Sequence, residues 1–405
     1  TPQRLTLAEA EKIALANRPV VSEARNTAAA AAQVPTEYNA ARLPQATANF
    51  TGAGAPDNTR LAAGGINNPV IYSRAAGGVN ISQLLLDFGH TSNMVAGAKL
   101  RSESENENYL SARSRTLLDV DRAYFGALRA EAVVRVAKET VAARQVVADQ
   151  VTELEKARLK SGLDVSFANV SLGEAKLLLS TAENERQAAY ANLAAAMGYQ
   201  RAPRFELAEE PFHIDPLAKD ELLATALRER PDLRALDLES QAESKFAKAE
   251  AANKYPTISA FGFAGVIPAG VQQLAGNYTA GGLNVDLPFL NGGLYKARQT
   301  EAELRAKAAT ERARELETQI VRDLSVALLN VNTTAERVDL TAKLLEQARL
   351  ALDLAQSRYD LGLSSIVELS QAQLSLTSAA IQQANAKYDY QTQRAMLDYQ
   401  TGVRR

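Results

Sequence analysis

The sequence predicts an internally duplicated chain in which long paired α-helices carry four β-strands of membrane length. Three observations carry that expectation. The prolines fall within 2–69 and 203–288, leaving 70–202 and 289–405 free of them. An interior proline costs a helix about 3 kcal/mol, so those two stretches are where long helices can form. Sequence motifs then recur in the same order in both halves, the mark of a repeat architecture. Finally, four short segments alternate apolar and polar residues with a period of two, as half-buried strands do.

The first helix is expected within LTLAEAEKIALANRPVV (5–21), where Thr6 and Glu9 have the spacing of a capping box. It ends at Arg18-Pro19, and proline suits the first turn of the helix that follows. The same unit returns as DELLATALRERPDL (220–233), with Arg230-Pro231 at its end.

The strands come next. RLPQATANFTGAG (42–54) matches KYPTISAFGFAG (254–265), and GGVNISQLLLDFG (77–89) matches GGLNVDLPFLNGG (281–293). Strands are expected at about 43–54, 77–88, 255–266 and 278–290. Val79, Asn80, Ile81 and Ser82 align with Leu283, Asn284, Val285 and Asp286. Thr47, Asn49 and Thr51 alternate with Ala46, Ala48 and Phe50. Such segments, of about ten residues, are long enough to cross a bilayer as tilted strands. Phe261 and Phe263 share a face with Ser259, which breaks the alternation, and soluble hairpins packed on the helices remain an alternative. The connections 55–69 and 266–277 are polar and turn-rich, as exposed caps are. A bilayer tolerates no free sheet edge, and four strands cannot close a barrel. Membrane strands would therefore require several chains to pool them, in a number the pattern leaves open.

Long helices follow each strand pair. Between 93 and 160 the glycines are Gly97 and Gly126, and 301–359 has none. Helices of that length span roughly 90–100 Å. Leu345, Ala348, Leu352, Ala355 and Tyr359 step three and four apart, as in a coiled-coil seam. Leu110, Leu117 and Tyr124 keep heptad steps, as do Leu374, Ile381 and Tyr388. KARLKSGL (156–163) then returns as QSRYDLGL (356–363). The two Gly-Leu pairs place helix-reversing turns at 161–164 and 361–364, where glycine enters a left-handed conformation at low cost. The two repeats are drawn as 1–215 and 216–405.

Composition narrows the function classes. The chain has 405 residues, a net charge of −2 and no cysteine or tryptophan. A pI near 6.0 offers no basic domain for a nucleic acid, and none is expected as a partner. Disulfides, thiolate zinc sites and cysteine nucleophiles are excluded. No apolar run reaches the roughly 18 residues of a transmembrane helix. The first residue is Thr1, which suggests that a segment such as a signal peptide was removed. His213 and Asp215 form an H-x-D pair, and His90 stands elsewhere, a poor basis for a metal site. GxxxxGK[ST], HExxH and GxSxG are absent, and Gly52 and Gly54 open no helix. No catalytic, cofactor-binding or metal residue is assigned, and a non-enzyme is expected.

The ordered motifs resemble the TolC-type outer-membrane efflux and secretion channels, the outer membrane factors. The resemblance runs from TLAEAEKIALANRP to the final helix ending MLDYQTG. It rests on Thr6-Leu7-x-Glu9-Ala10 with Arg18-Pro19, on the strand ends Asp87-Phe88-Gly89 and Asn291-Gly292-Gly293, and on both Gly-Leu turns. It implies a homotrimer whose four strands per chain make a twelve-stranded barrel in the Gram-negative outer membrane. A twelve-helix tunnel in the periplasm and an equatorial belt crossed by 198–223 are implied too. The implied activity is passive export of drugs or other small molecules. The implied partners are a periplasmic adaptor (membrane fusion protein), an inner-membrane pump of RND or ABC type, and outer-membrane lipid. A type I protein secretion duct, or a soluble periplasmic scaffold or adaptor, is the alternative.

The resemblance also assigns roles. Arg158, Gly162, Leu163, Arg358, Gly362 and Leu363 become the candidates for adaptor contact at the tip. Asp164, Tyr359 and Glu368 become candidates for the pore constriction. Glu368 stands six residues after Gly362, where the family usually has aspartate, and the matching first-half position is Ala168. Many drug-efflux members carry a lipidated N-terminal cysteine. Its absence implies an unlipidated branch or a start downstream of the anchor.

Overall fold

The computed structural model describes residues 3–56, 73–201, 205–209, 212, 214, 219–269 and 276–404. His213, Asp215 and most of the two strand connections lie outside them.

Strand β1 (Gln3–Leu5) leads into helix α1 (Leu7–Asn17). Thr6 caps α1 in a full capping box: its hydroxyl accepts from the Glu9 amide at 3.3 Å, and the Thr6 amide donates to the Glu9 carboxylate at 2.9 Å. Pro19 then starts helix α2 (Pro19–Ala31), followed by α3 (Val34–Ala40). Strands β2 (Gln45–Ala53) and β3 (Arg74–Leu86) precede the helices α4 (His90–Lys156) and α5 (Gly162–Ala196). Strand β4 (Phe205–Leu207) follows. Then come α6 (Lys219–Glu229), α7 (Pro231–Ala252), β5 (Thr257–Ala269), β6 (Asn277–Asp286), α8 (Leu294–Asp360) and α9 (Ile366–Gln400). The duplication is visible in lengths: α4 and α8 have 67 residues each, and α5 and α9 have 35 each. Strand β6 stops four residues before the expected 290, because Pro288 has no amide to continue the ladder.

Two compact units form, and neither is continuous in sequence. One comprises 1–25, 107–234 and 315–405. Its packing follows the heptad steps: Ala348, Ala355 and Tyr359 are buried, as are Leu117, Tyr124 and Tyr388, whereas Leu374 stays exposed. Tyr124, Leu128, Leu193 and Met197 centre one core cluster. Beside it, β1 pairs in parallel with β4, and the Tyr124 hydroxyl reaches the carbonyls of Leu5 (2.9 Å) and Ala208 (2.6 Å). The FEL run of 205–207 is therefore a strand, within the segment 198–223 that the resemblance assigned to a belt. The C-terminal segment is tied down by Arg404, which pairs with buried Asp121 and with Glu11 at 2.9 Å.

The other unit comprises 26–106 and 235–314 and holds an antiparallel sheet of order β2-β3-β5-β6. Register places Asn49, Gly78, Gly265 and Tyr278 in one row, and Thr47, Asn80, Phe263 and Ala280 in the next. Because successive side chains alternate, the opposite face carries Ala48, Val79, Ala264 and Thr279 in one row, with Phe50, Ile81, Leu283 and Val285 nearby. One face is mostly amide and hydroxyl. The other is mostly aliphatic.

The α4–α5 reversal differs from expectation. Gly162 is the first residue of α5, and the turn lies before it. Arg158 takes the left-handed conformation there, at φ 60°, with Leu159 N donating to Leu154 O at 2.8 Å. In the second reversal Gly362 has φ 73°, and Leu363 N donates to Arg358 O at 2.8 Å. Both are Schellman closures. Arg158 is thus the counterpart of Gly362, and the two octapeptides match one helical turn out of register. The counterpart of Glu368 is likewise Asp164, since each is the third residue of its helix. Ala168 is buried in the core between the hairpins.

Candidate functional site

The candidate residues gather around these two reversals, because each long helix is allowed to turn only where a cap satisfies its last carbonyls. Ser161 caps α5: its hydroxyl accepts from the Asp164 amide at 3.3 Å, while the Ser161 amide donates to Asp164 at 2.9 Å. Those bonds from the Ser161 hydroxyl and amide, with the charge of Lys160, hold the Asp164 carboxyl below the usual range, against slight burial. Ser365 caps α9 in the same way, accepting from the Glu368 amide at 3.4 Å. Here the acidic side chain does not close the box. Glu368 turns to Arg358 instead, at 3.2 Å. The longer side chain of glutamate makes that reach possible.

The two hairpins meet through an apolar cluster. Val147, Ala148 and Val151 of α4, Ala168 and Leu172 of α5, Tyr359 of α8, and Ile366 and Leu369 of α9 are buried together. Above the Tyr359 ring lies the Lys160 ammonium, 4.1 Å from its centroid. This cation–π contact joins the first reversal to the second. Burial, with the charges of Asp164 and Asp360 nearby, raises the Tyr359 phenol. Its hydroxyl is buried and has no hydrogen-bond partner among the described residues.

Further along the same helices, Arg144 of α4 is buried and reaches α5 and α9. It donates to the Ser171 hydroxyl at 3.0 Å and to the Gln373 side-chain carbonyl.

The structure therefore brings Tyr359 and Asp164 together, and Arg358 with Glu368. Gly162, Leu163, Gly362 and Leu363 point outward with Arg158 and Arg358. Leu163 and Leu363 are not equivalent, however, since Leu159 is the counterpart of Leu363. Leu159, Leu163, Leu361 and Leu363 are each about two-thirds or more exposed, making the reversals apolar at their surface. Leu159, Lys160 and Leu361 were not among the sequence candidates. Leu159 was detectable in principle, since Schellman closures commonly place an apolar residue just past the left-handed position.

Comparison with known proteins supplies the frame. The model of the family described as outer membrane efflux protein matches residues 12–199 and 222–403. Outer membrane protein TolC of Salmonella enteritidis is 22% identical over 352 residues, covering 84% of this chain and 71% of that one. Outer membrane efflux protein BepC of Brucella suis is 24% identical over 323 residues, covering 77% and 68%. A solved membrane protein from Pseudomonas aeruginosa superposes with a TM-score of 0.84 at 21% identity, covering 98% of this chain and 93% of that one.

Proposed function

The chain belongs to the outer membrane efflux protein family, and on that premise we propose that it forms the exit duct of a tripartite efflux system. Several identical chains, three by the family pattern, pool their strands in the outer membrane. The helical hairpins reach into the periplasm and dock an adaptor, which couples the duct to an inner-membrane pump. The duct itself is passive, so its residues shape a path and a gate and perform no catalysis.

One observation carries this reading: a four-stranded sheet with one aliphatic face, one polar face and, among the described residues, two open edges. Lipid accepts the aliphatic face and water the polar one.

At the periplasmic end, the exposed leucines and Arg158 and Arg358 suit contact with an apolar, acidic helical hairpin of an adaptor. Asp164 and Glu368, repeated around a pore axis, would repel one another and attract cations. The exposed Arg358–Glu368 pair contributes about 0–1 kcal/mol, so an adaptor contact can replace it readily. The Tyr359 cluster keeps the two hairpins of one chain together, and opening therefore falls to contacts between chains.

Purified protein in planar bilayers tests the reading. Discrete single-channel conductance is expected, and Glu368→Ala is expected to raise the resting level. Absence of channels overturns the duct. Unchanged conductance and cation preference in Glu368→Ala removes Glu368 from the gate.

A further inference from the structure

The polar face of the sheet carries a feature its composition does not call for. Phe261 and Phe263 of β5 and Tyr278 of β6 stand on it, among Asn49, Asn80, Ser82 and Asn284. Phe261 and Phe263 lie nearly parallel, 6.2 Å between centroids and 10° between planes. Phe263 and Tyr278 follow at 6.1 Å. Three rings thus form one continuous row across two strands.

Glycines make the floor beneath them. A Cβ on Gly265 would overlap the Tyr278 ring and one on Gly78 its hydroxyl, and one on Gly282 would come within 3.0 Å of Phe261. The rings therefore lie down on the neighbouring strands. A ring lying flat against a sheet leaves its other π-face uncovered by its own strands. The three side chains are 42%, 37% and 37% exposed.

In a duct whose copies join edge to edge, β2 to β6, this face stays open, because two of the three rings stand on inner strand β5. The opposite wall is out of reach as well, since only about eight strands make a barrel that its own side chains fill.

Resting on the duct reading above, we propose that Phe261, Phe263 and Tyr278 form a stacking site on the duct wall for planar aromatic cargo, cationic aromatic cargo above all. The row offers π-faces to a flat ring and to a positive charge alike. The amides around it accept and donate hydrogen bonds without fixing a sequence of groups, which suits a path that serves many molecules. The site holds such cargo loosely and passes it along the row.

The test uses the assembled protein in planar bilayers with two quaternary dications of like charge. Benzyl viologen is aromatic; hexamethonium is aliphatic. Current blocks by benzyl viologen are expected to last about fivefold longer than those by hexamethonium, the scale of an exposed cation–π contact. Phe263→Leu should abolish that difference, and Phe263→Tyr should keep it. Phe50→Leu, on the other face, should leave it unchanged. Equal block times for the two dications in the unaltered protein overturn the stacking site while leaving the duct standing, and need no variant to fold. Unchanged benzyl viologen blocks in Phe263→Leu overturn it too. A protein that conducts no current overturns the duct, and this inference with it.

Discussion

Arg158 and Gly362 occupy the same place in their two reversals, yet one is the residue least strained there and the other is not. A left-handed conformation costs a residue with a Cβ about 1–2 kcal/mol, and Arg158 accepts it at φ 60°. Replacing Arg158 with glycine is therefore expected to stabilise the first reversal by about 1 kcal/mol. Gly362→Ala should destabilise the second by a similar amount. Amide exchange across 154–161 and 358–365 reads both, slowing in the first case and quickening in the second. Arg158 persists against that local preference, which is understandable if its guanidinium serves a surface contact. Adaptor binding then weakens in Arg158→Gly although the turn itself is firmer. Binding that strengthens along with the turn counts against Arg158 as a contact residue. The same pair explains why the first turn was misplaced from sequence. Glycine is the expected occupant of a left-handed cap, so Gly162 drew the turn toward itself and hid Arg158.

At the scale of elements, the sheet has a direct test in adjacent residues. Leu283 lies on the aliphatic face and Asn284 on the polar one. Leu283→Arg is expected to destabilise the inserted sheet by about 2–4 kcal/mol, and Asn284→Arg to be tolerated with altered ion selectivity. Equal losses of membrane-inserted protein from the two variants would mean that both faces meet the same medium. Strand pairs, proline-led helices and the Thr6 box were legible because each follows from local chemistry: a two-residue period, a missing amide, a hydroxyl three residues before a carboxylate. The seam was legible for the same reason, since Ala348, Ala355 and Tyr359 are buried as their spacing implies. What stayed hidden depends on contacts between distant segments. Lys160 on the Tyr359 ring joins residues from different hairpins. The glycine floor under Tyr278 is visible only once register sets Gly78, Gly265 and Tyr278 in one row. Phe261 and Phe263 were seen as a fault in an alternating pattern. In the folded sheet that fault is a row of rings.

For the whole molecule, the two free edges decide the assembly. In hydrocarbon an unpaired backbone group costs several kcal/mol, and β2 and β6 each present a full row of them. Four strands, each antiparallel to the next, leave β2 and β6 running in opposite directions. The β6 of one chain can therefore continue the same pattern onto the β2 of another. A head-to-tail contact of that kind closes into a ring when the rotation allows it. Two chains would supply about the number of strands that side chains fill, so an open duct needs at least three. Because the chain contains no cysteine, introduced thiols report on this contact alone. Ala48→Cys in β2 is combined with a cysteine scanned through Thr279, Gly281, Leu283 and Val285 of β6, all on the aliphatic face. One combination is expected to give disulfide-linked chains that end at three times 43.5 kDa on a non-reducing gel. Ring closure sets that limit: an open filament gives a ladder without end, and a pair of chains stops at two. A protein that stays at the mass of one chain under every combination leaves β2 and β6 unpaired in the bilayer, which the energetics of the backbone forbid, and the strands would then have to lie outside the membrane.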